Sequence, residues 1–484
     1  MKISCFLFSV FMFLFADLYS KDTPTWGRLA NPGFENEHVK STVFFSGNWR
    51  NGVQFYDYNP TSNIGLYSMF PEDPRHLGWS ENVSYRDFAL NTMIDAGVNV
   101  VCMSYWGPPG TDNWAYWAPM QCSTGSHDEL LDASLGKEIL IAPFIESFAA
   151  TDDFPGFSFM DDFGGNEPDV SPEFVLLIED LVERYIVNPS NSNWPAKWAR
   201  VYDQEGMERY MISIIHVASN KSGITDQHFA NCFDIVANQI FESKGVRVGF
   251  ALDILPPETY APGAFKATPA GTGSYLASQS SVLAIQCFIP EIWVGSSDES
   301  ALIKWKRNFM IGWSNTGIPQ YHDISSGYDA HIIFPTSPVY GNNYTWRYLQ
   351  TQLIEEFESE AFTVSAWNGY TEGFAAIPTA EYSDSAYNWI CETLGGTCGV
   401  STGIPEIKYN PEITVLSVYS NTRTIKFKYY LAKNSDVTIR IYNYLGVLMN
   451  INQLKNKEAG EHEMEIYDIN IPEGVYYIVT DTNY

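Results

Sequence analysis

The sequence predicts an α/β fold, a (β/α)8 TIM barrel followed by a small C-terminal all-β sandwich domain. Between about residues 64 and 394, short apolar, β-rich runs alternate with longer helical patterns. Eight such runs occur, which is the strand count of a barrel of this type. Beyond residue 400 the hydrophobic period changes to two, without helical spacing. We expect the barrel over residues 21–400, a linker over 401–410 and the sandwich over 411–484.

The first twenty residues have the features of a secretory signal peptide. Lys2 precedes an apolar run from about Phe6 to Phe15, and small or polar residues follow before Lys21. No later run reaches the ~18 apolar residues that a membrane-spanning helix needs. We therefore expect a protein without a membrane span that is secreted or displayed at the cell surface.

The strand candidates are short runs of apolar and β-branched residues, and helical patterns lie between them. Strands separated by helices pair in parallel through right-handed crossovers. A doubly wound open sheet would use the same alternation, but no GxGxxG motif follows an early strand. The predicted strands are 64–70, 98–106, 138–146, 210–218, 246–254, 281–289, 316–324 and 362–368, and the predicted helices include 85–97, 172–186, 226–243, 301–313 and 346–359.

Charge and composition exclude some partners. Asp and Glu number 57 against 28 Lys and Arg, a net charge of −29, which argues against nucleic acid or an anionic membrane as a partner. A neutral polymer is easier to accommodate. Aromatic residues make up 15% of the chain and can furnish stacking platforms for sugars, although a large aromatic core explains most of them. We expect no cofactor.

The cysteines predict one short disulfide and no metal site. Cys391 and Cys398 bracket a turn-rich loop, and in an exported protein we expect them to be oxidised. Cys102 and Cys287 lie in apolar strand-like runs and are expected to be buried thiols. No CxxC or His-rich spacing suggests zinc.

The stretch 362–379, FTVSAWNGYTEGFAAIPT, carries the strongest catalytic candidate. A β-rich run ends in Trp367 and Asn368 and passes into a loop that contains Tyr370 and Glu372. Barrel enzymes take their catalytic groups from the C-terminal ends of strands, and aromatic faces suit sugar rings. Glu372 is therefore our candidate for a general acid/base in glycoside chemistry.

Glycoside hydrolysis normally uses two carboxyl groups, and several strand ends offer the second. Glu146 and Asp253 each end an apolar run, where partial burial would raise the carboxyl pKa toward a working value. Asp323, Asp329 and Glu291 also follow strands, but for Asp323 and Glu291 helix capping or pairing with a base is the simpler interpretation. Predicted substrate contacts are Tyr105, Trp106, His216, Tyr328, Asp329, Trp367, Asn368 and Tyr370.

Four segments in order along the chain resemble glycoside hydrolases of the endo-α-mannosidase and α-1,3-glucanase type. They are 95–108 (DAGVNVVCMSYWGP), 141–146 (IAPFIE), 326–329 (SGYD) and 367–373 (WNGYTEG). The resemblance implies a (β/α)8 glycosidase in which Glu372 matches the general acid/base. In those families a second acid stands where this chain has Gly369. Either another carboxylate takes that role, or the barrel binds glycan without cutting it.

The tail resembles the C-terminal sorting domain of proteins exported by type IX secretion. The matching segments are 437–446 (VTIRIYNYLG), 459–462 (AGEH) and 471–477 (IPEGVYY). The resemblance implies a partner in the secretion machinery, while a generic immunoglobulin-like accessory domain has the same architecture.

These observations predict a secreted glycoside hydrolase that acts on an oligo- or polysaccharide. If the mannosidase resemblance extends to mechanism, the 2-hydroxyl of the substrate attacks the anomeric carbon; if the glucanase resemblance does, water attacks directly. The alternative function is a catalytically silent glycan-binding barrel.

Overall fold

The chain divides into two compact units, Met1–Asn342 with Trp346–Thr397, and Asn343–Thr345 with Cys398–Tyr484. The predicted signal peptide, 1–20, and the predicted linker, 401–410, lie outside the described residues. The computed structural model describes residues 25–45, 58–59, 64–65, 69, 71–76, 83–105, 124–146, 172–215, 217–219, 223–254, 265–291, 298–331, 336–370, 372–379, 382–398, 413–421, 424–431, 433–443, 448–467 and 476–483.

Eight parallel strands close into a barrel in the first unit. Each strand pairs with its neighbour in sequence order, and the last pairs with the first through Lys40↔Phe362 to Thr42↔Val364. The predicted (β/α)8 fold is thereby confirmed. The strands are β1 (Lys40–Phe44), β2 (Val100–Tyr105), β3 (Leu140–Glu146), β4 (Glu208–Ile215), β5 (Val248–Asp253), β6 (Val282–Gln286), β7 (Gln320–Ile324) and β8 (Phe362–Val364).

Among the described residues at least one helix follows each barrel strand, and a second short helix, Trp194–Lys197, also follows β3. The helix after β5 is only one turn long, and a π-helical segment, Glu183–Val187, extends the one after β3. The five predicted helices are present within a few residues of their expected bounds. The helices are α1 (Val83–Asp95), α2 (Thr124–Ser134), α3 (Pro172–Val182), α4 (Asp226–Lys244), α5 (Gly273–Ala277), α6 (Glu299–Ser314), α7 (Tyr344–Glu356) and α8 (Ser385–Leu394).

The first predicted strand, 64–70, was wrong. Ile64–Gly65 instead forms a two-residue antiparallel pair with Tyr58–Asn59, and the barrel begins with β1. The segment KSTVF was missed because two of its five residues are hydroxyl-bearing and it is short. In the structure Ser41 and Thr42 are buried and hydrogen-bonded to β8, so their polarity does not oppose burial.

The barrel interior contains a chain of polar side chains from several strands. Ser41 Oγ lies 3.1 Å from Thr363 Oγ1, Thr363 donates to Gln286 Oε1 at 3.0 Å, and Gln286 donates to Ser213 Oγ at 2.6 Å. Thr363, Gln286 and Ser213 belong to alternate strands, whose side chains meet only inside a barrel. All four residues are at most 1% exposed, and each satisfies the polar group of another.

Capping residues are present at the ends of two outer helices, α4 and α6. Thr225 accepts a hydrogen bond from the backbone N–H of His228 at the start of α4, and Gly245 ends that helix with φ 72°. Asp298 caps α6 by accepting from the N–H of Ser300 at 2.9 Å. Such caps satisfy backbone groups that the first and last turns leave unpaired.

Within its described residues, the second unit contains two three-stranded antiparallel sheets. Side chains of Tyr429 and Leu431 in one sheet and of Val437 and Ile439 in the other form a buried cluster, which makes the unit a sandwich. The fourth strand, LMNINQLKNK, was not predicted because its polar residues break the period of two. The strands are β9 (Ile413–Asn421), β10 (Thr424–Leu431), β11 (Ser435–Asn443), β12 (Leu448–Lys457), β13 (Gly460–Tyr467) and β14 (Tyr476–Asn483).

The described cysteines fall into the two expected classes. Cys391 and Cys398 are both disulfide-bonded, whereas Cys102 and Cys287 are buried free thiols, as is Cys232. These observations agree with the expected oxidised pair and buried thiols.

In the part of the chain that the structure describes, none of the helices combines the length and the apolar character that crossing a membrane would demand.

Candidate functional site

The segment after β8 is fixed to the neighbouring β1 before it reaches Glu372. The N–H of Trp367 donates to Val43 O at 2.7 Å. The amide of Asn368 donates to Phe45 O at 3.0 Å and accepts from Phe45 N at 2.9 Å, so it mimics a strand pairing. The two polar atoms of this amide are therefore used by the barrel edge, which makes Asn368 an anchor for the loop that carries Glu372.

Phe374 fills the space beside Gly369. A Cβ atom on residue 369 would lie within 2.8 Å of three ring atoms of Phe374, closer than real Cβ contacts. The Phe374 ring also stacks on Tyr328, with centroids 5.9 Å apart and planes 11° apart. The position where the resemblance places a partner acid is thus occupied by a packed aromatic ring.

Glu372 is buried, only 6% exposed, and contacts Tyr328 of this aromatic pair. The hydroxyl of Tyr328 donates to Glu372 Oε1 over 3.3 Å, and the N–H of Asp329 donates to the backbone oxygen of Glu372 at 2.7 Å. Burial raises the pKa of Glu372 to about 7, and the hydrogen bond from Tyr328 offsets part of the rise. Glu372 can therefore hold a proton near neutral pH, which is what a general acid requires.

A buried ionic cluster lies at the ends of β6 and β7. Lys306 Nζ on α6 is 2.7 Å from Asp323 Oδ2 and 3.5 Å from Glu291 Oε1. Ser365 donates to the other oxygen of Asp323. Burial raises the pKa of Asp323 to about 7 against the lowering effect of Lys306. Burial lowers the pKa of Lys306, but the two carboxylates outweigh it and the net direction is upward.

Glu291 is held in this cluster through one of its two oxygens. Ser325 donates from Oγ to Glu291 Oε1 at 2.6 Å, and Gln350 fixes the backbone of Ser325 by accepting from its N–H and donating to its carbonyl. Glu291 Oε2 has no hydrogen-bond partner among the described residues, although the residue is 0% exposed.

The charges of Glu291 and Glu372 both raise the pKa of Tyr328. Burial raises the pKa of Tyr328 most, then the charge of Glu372, and the charge of Glu291 adds a smaller contribution. Two residues, Ser326 and Gly327, separate Tyr328 from Ser325, the partner of Glu291. Glu291, Tyr328 and Glu372 follow β6, β7 and β8 respectively, so they lie on segments at the C-terminal edge of the barrel, the edge where barrel enzymes carry their chemistry.

Asp253 and Glu146, the two other predicted catalytic carboxylates, each lie at the end of a barrel strand. Asp253 ends β5, is fully buried, and accepts from the N–H of Phe288 at 2.9 Å, which positions the chain leaving β6. Glu146 is the last residue of β3, and its side chain lies outside the described residues.

The residues predicted to contact substrate lie in different environments. Tyr105 donates from its hydroxyl to Asp180 Oδ2 on α3 at 2.8 Å, so it contacts the outer helical layer. Trp367 is 1% exposed and packs edge-on against Tyr387 of α8. Tyr370 is 1% exposed and neighbours Glu372 in the loop.

Asp329, Trp106 and His216 complete the predicted set. The carboxylate of Asp329 is 40% exposed and accepts from the N–H and Nδ1 of His331, at 3.1 and 3.0 Å. Trp106 and His216 lie outside the described residues.

Sequence reasoning overlooked Lys306 and Phe374. Lys306 lies on the buried stripe of α6 with Leu302, Met310 and Trp313, and a lysine at that spacing was a signal for a buried ion pair. Phe374 stands two residues after Glu372 in the sequence, and no sequence pattern discloses that its ring folds back onto position 369.

Among the residues that the structure describes, no group of three or more His, Cys, Asp or Glu side chains is arranged to hold a metal ion. The chemistry of the described site is that of carboxyl groups, a lysine and tyrosine.

Comparison with known proteins yields structural likeness alone. No family model matches the chain, and no curated protein matches it. One similar solved structure is the GH99 endo-alpha-mannosidase from Bacteroides thetaiotaomicron, with a TM-score of 0.46 and 14% identity over 74% of this chain and 96% of that chain.

Two further similar structures come from other glycoside hydrolases. The endo-beta-1,4-mannanase from Thermotoga petrophila has a TM-score of 0.39 and 12% identity, covering 93% of this chain and 95% of that chain. GH5_18 from Streptomyces cattleya, in complex with GlcNAc, has a TM-score of 0.41 and 8% identity, covering 74% and 80%. At these TM-scores the strand pairings, and not the likeness, carry the assignment of the barrel.

Proposed function

We propose that this protein is an exported glycoside hydrolase that cleaves an oligo- or polysaccharide, with Glu372 as the proton donor. The observation that carries the proposal is the burial of a glutamate with a pKa of about 7 at the C-terminal edge of a (β/α)8 barrel. A glycosidic oxygen is a poor leaving group, so its departure needs a proton from an acid that is still protonated near neutral pH.

The surroundings of Glu372 fit this role. In the described site no cation lies within an ion-pair contact of its carboxyl group, so burial alone sets the direction of its pKa. Tyr328 fixes Oε1 and leaves Oε2 for a substrate oxygen. The net charge of −29 disfavours anionic polymers, which leaves neutral glycans as the fitting substrate class.

A glycan-binding barrel without catalysis is the second candidate. It is favoured by one observation: Phe374 occupies the place of the partner acid at position 369. A barrel that has lost one of two carboxyl groups could still bind a sugar through Glu372 and its aromatic neighbours.

We also propose that the export of this protein depends on both ends of the chain. Residues 1–20 would direct the chain across the inner membrane, and the sandwich would address it to a type IX machinery. Secretion of the full chain but retention of a chain ending at residue 410, in a host with that machinery, would support this proposal. Equal secretion of both would exclude the role of the sandwich.

The catalytic proposal is tested with purified protein and its Glu372→Gln variant. Both are incubated with α- and β-linked glucans, mannans and xylans, and released reducing ends are followed. Release by the wild type and a loss of about 10²- to 10⁴-fold in a folded Glu372→Gln variant are expected. Full activity of the variant would exclude Glu372 as the acid; silence of the wild type, with retention on one immobilised glycan, would favour the binding barrel.

A further inference from the structure

We propose that Glu291 is the second catalytic carboxylate, the base that takes a proton from the oxygen attacking the anomeric carbon. This inference rests on the proposed glycoside hydrolysis. It replaces the expectation that Glu146 or Asp253 has that role. The partner acid has in effect moved from the loop after β8 to the segment after β6.

Position 369 cannot supply the second carboxyl group. A side chain there would overlap the Phe374 ring, which is itself packed between Tyr328 at 5.9 Å and Phe288 at 6.5 Å. Phe288 belongs to the segment that leaves β6 and leads to Glu291. The same packing that excludes an acid from residue 369 therefore places the β6 segment beside the loop of Glu372.

Glu291 is held through one of its two carboxylate oxygens. Ser325 and Lys306 both contact Oε1, at 2.6 and 3.5 Å, so the carboxylate is oriented and its charge is compensated from one side. Oε2 is buried and has no partner among the described residues. A buried carboxylate oxygen without a hydrogen bond is costly and calls for an explanation, and a proton-accepting role supplies one.

Asp323 is the other carboxylate that contacts Lys306, and it differs from Glu291 in how its oxygens are used. Both oxygens of Asp323 are occupied, one by Lys306 and the other by Ser365. Asp323 thus has a structural role that leaves no oxygen for substrate. Asp253 likewise uses its carboxylate to accept from the backbone N–H of Phe288. In the cluster around Lys306, Glu291 is therefore the carboxylate with a buried oxygen that has no hydrogen-bond partner among the described residues.

The chemical step balances with water as the attacking group. A water oxygen forms a bond to the anomeric carbon while a proton of that water passes to Glu291 Oε2. The bond between the anomeric carbon and the glycosidic oxygen breaks, and the leaving oxygen takes the proton of Glu372. One water is consumed, and solvent exchange returns the proton from Glu291 and restores the one on Glu372.

The test distinguishes the role of Glu372 as acid from that of Glu291 as base by comparing substrates whose leaving groups do and do not need a proton. The substrates are the glycan that the wild type cleaves and its 2,4-dinitrophenyl glycoside, whose leaving group needs no proton. Glu372→Gln should recover most of its activity on the activated substrate. Glu291→Gln should lose about 10²- to 10⁴-fold on both substrates. In Glu291→Ala, sodium azide should restore turnover and yield a glycosyl azide.

Asp323→Asn is the matched control, because it also removes a carboxylate from Lys306. A purely structural role for Glu291 predicts that both variants lose stability alike and that azide rescues neither. That result, or retention of more than a third of wild-type activity by Glu291→Gln, would overturn the inference while the glycosidase proposal stands. An inactive wild type would overturn both.

If substitution of Glu291 prevents folding, Ser325→Ala provides the second test. It removes the 2.6 Å hydrogen bond that orients Glu291 and keeps every charge. A fall in kcat of about tenfold, the equivalent of one hydrogen bond, with unchanged KM is expected. Unchanged kcat in a folded Ser325→Ala protein would contradict the role of Glu291.

Discussion

Gly369 lies against the ring of Phe374 so closely that a side chain at residue 369 and this ring exclude each other. Three ring atoms lie within 2.8 Å of the position of a Cβ atom on residue 369. The glycine is therefore required by packing, and an acidic side chain at residue 369 is incompatible with the observed position of the Phe374 ring.

Gly369→Ala should destabilise the protein by about 1–3 kcal/mol, because the added methyl group overpacks the site. Phe374→Ala alone should cost about 3–5 kcal/mol through the cavity that it leaves. The double variant should be more stable than the sum of the single effects predicts, since the methyl group fills part of that cavity. Urea unfolding of the four proteins measures this coupling, and strict additivity would show that the two positions do not compete for space.

The titration of Glu372 should make stability depend on pH. Its pKa is about 7 in the folded protein against 4.5 ordinarily, so the folded state prefers the protonated form. The stabilisation is complete below pH 4.5 and is lost as the pH rises through 7, a change of about 3 kcal/mol.

Glu372→Gln does not titrate, so it isolates this contribution from that of Asp323. The free energy of unfolding, wild type minus variant, should fall by about 3 kcal/mol between pH 4 and pH 8. A difference that stays constant over this range would mean that folding leaves the pKa of Glu372 at its ordinary value.

Tyr328→Phe should move the alkaline limb of kcat/KM to higher pH. The hydroxyl of Tyr328 stabilises the ionised form of Glu372, and its removal raises the pKa of the acid further. Tyr387→Phe is the control, because that hydroxyl donates to Thr92 O on the helical layer. The alkaline limb should be the same in the control and the wild type; a limb that moves down in Tyr328→Phe would refute the assigned hydrogen bond.

Lys306→Met should cost about 3–5 kcal/mol, because it leaves Asp323 and Glu291 buried without a cation. The next residue gives a matched comparison: Arg307 pairs with Glu356 at 2.7 Å, but the two side chains are 42% and 41% exposed. Arg307→Met should therefore cost less than about 1 kcal/mol. Chemical unfolding compares the two variants, and equal costs would argue that the cluster around Lys306 is hydrated in solution.

Asn368→Ala should destabilise the barrel edge by about 2 kcal/mol, since it removes the hydrogen bonds of the Asn368 amide with the N–H and C=O of Phe45. The exposed Asn315, whose amide donates to Ile311 O at the end of α6, serves as the control position. Asn315→Ala should change the unfolding free energy by less than about 0.5 kcal/mol. If Asn368 contacts glycan as well, its variant will in addition lose affinity in excess of the stability effect.

Much of the barrel could be predicted because seven of its strands are apolar runs separated by helical patterns. β1 could not, since Ser41 and Thr42 are buried through hydrogen bonds that connect distant parts of the chain. The site was less accessible to prediction for the same reason. Glu372 follows a strand and stands out in the sequence, whereas the contacts of Glu291 with Ser325 and Lys306 exist only after β6, β7 and α6 have assembled.

The pairing of β1 with β8 limits the order in which the barrel can fold. Ser41 donates to Phe362 O across 321 residues of chain, so the ring of strands cannot close before nearly the entire barrel sequence is present. Contacts of such sequence separation carry a large loop-closure entropy and are associated with slow folding. Until β8 pairs with β1 the sheet therefore has two unpaired edges, and that pairing completes the barrel edge beyond which Glu372 lies.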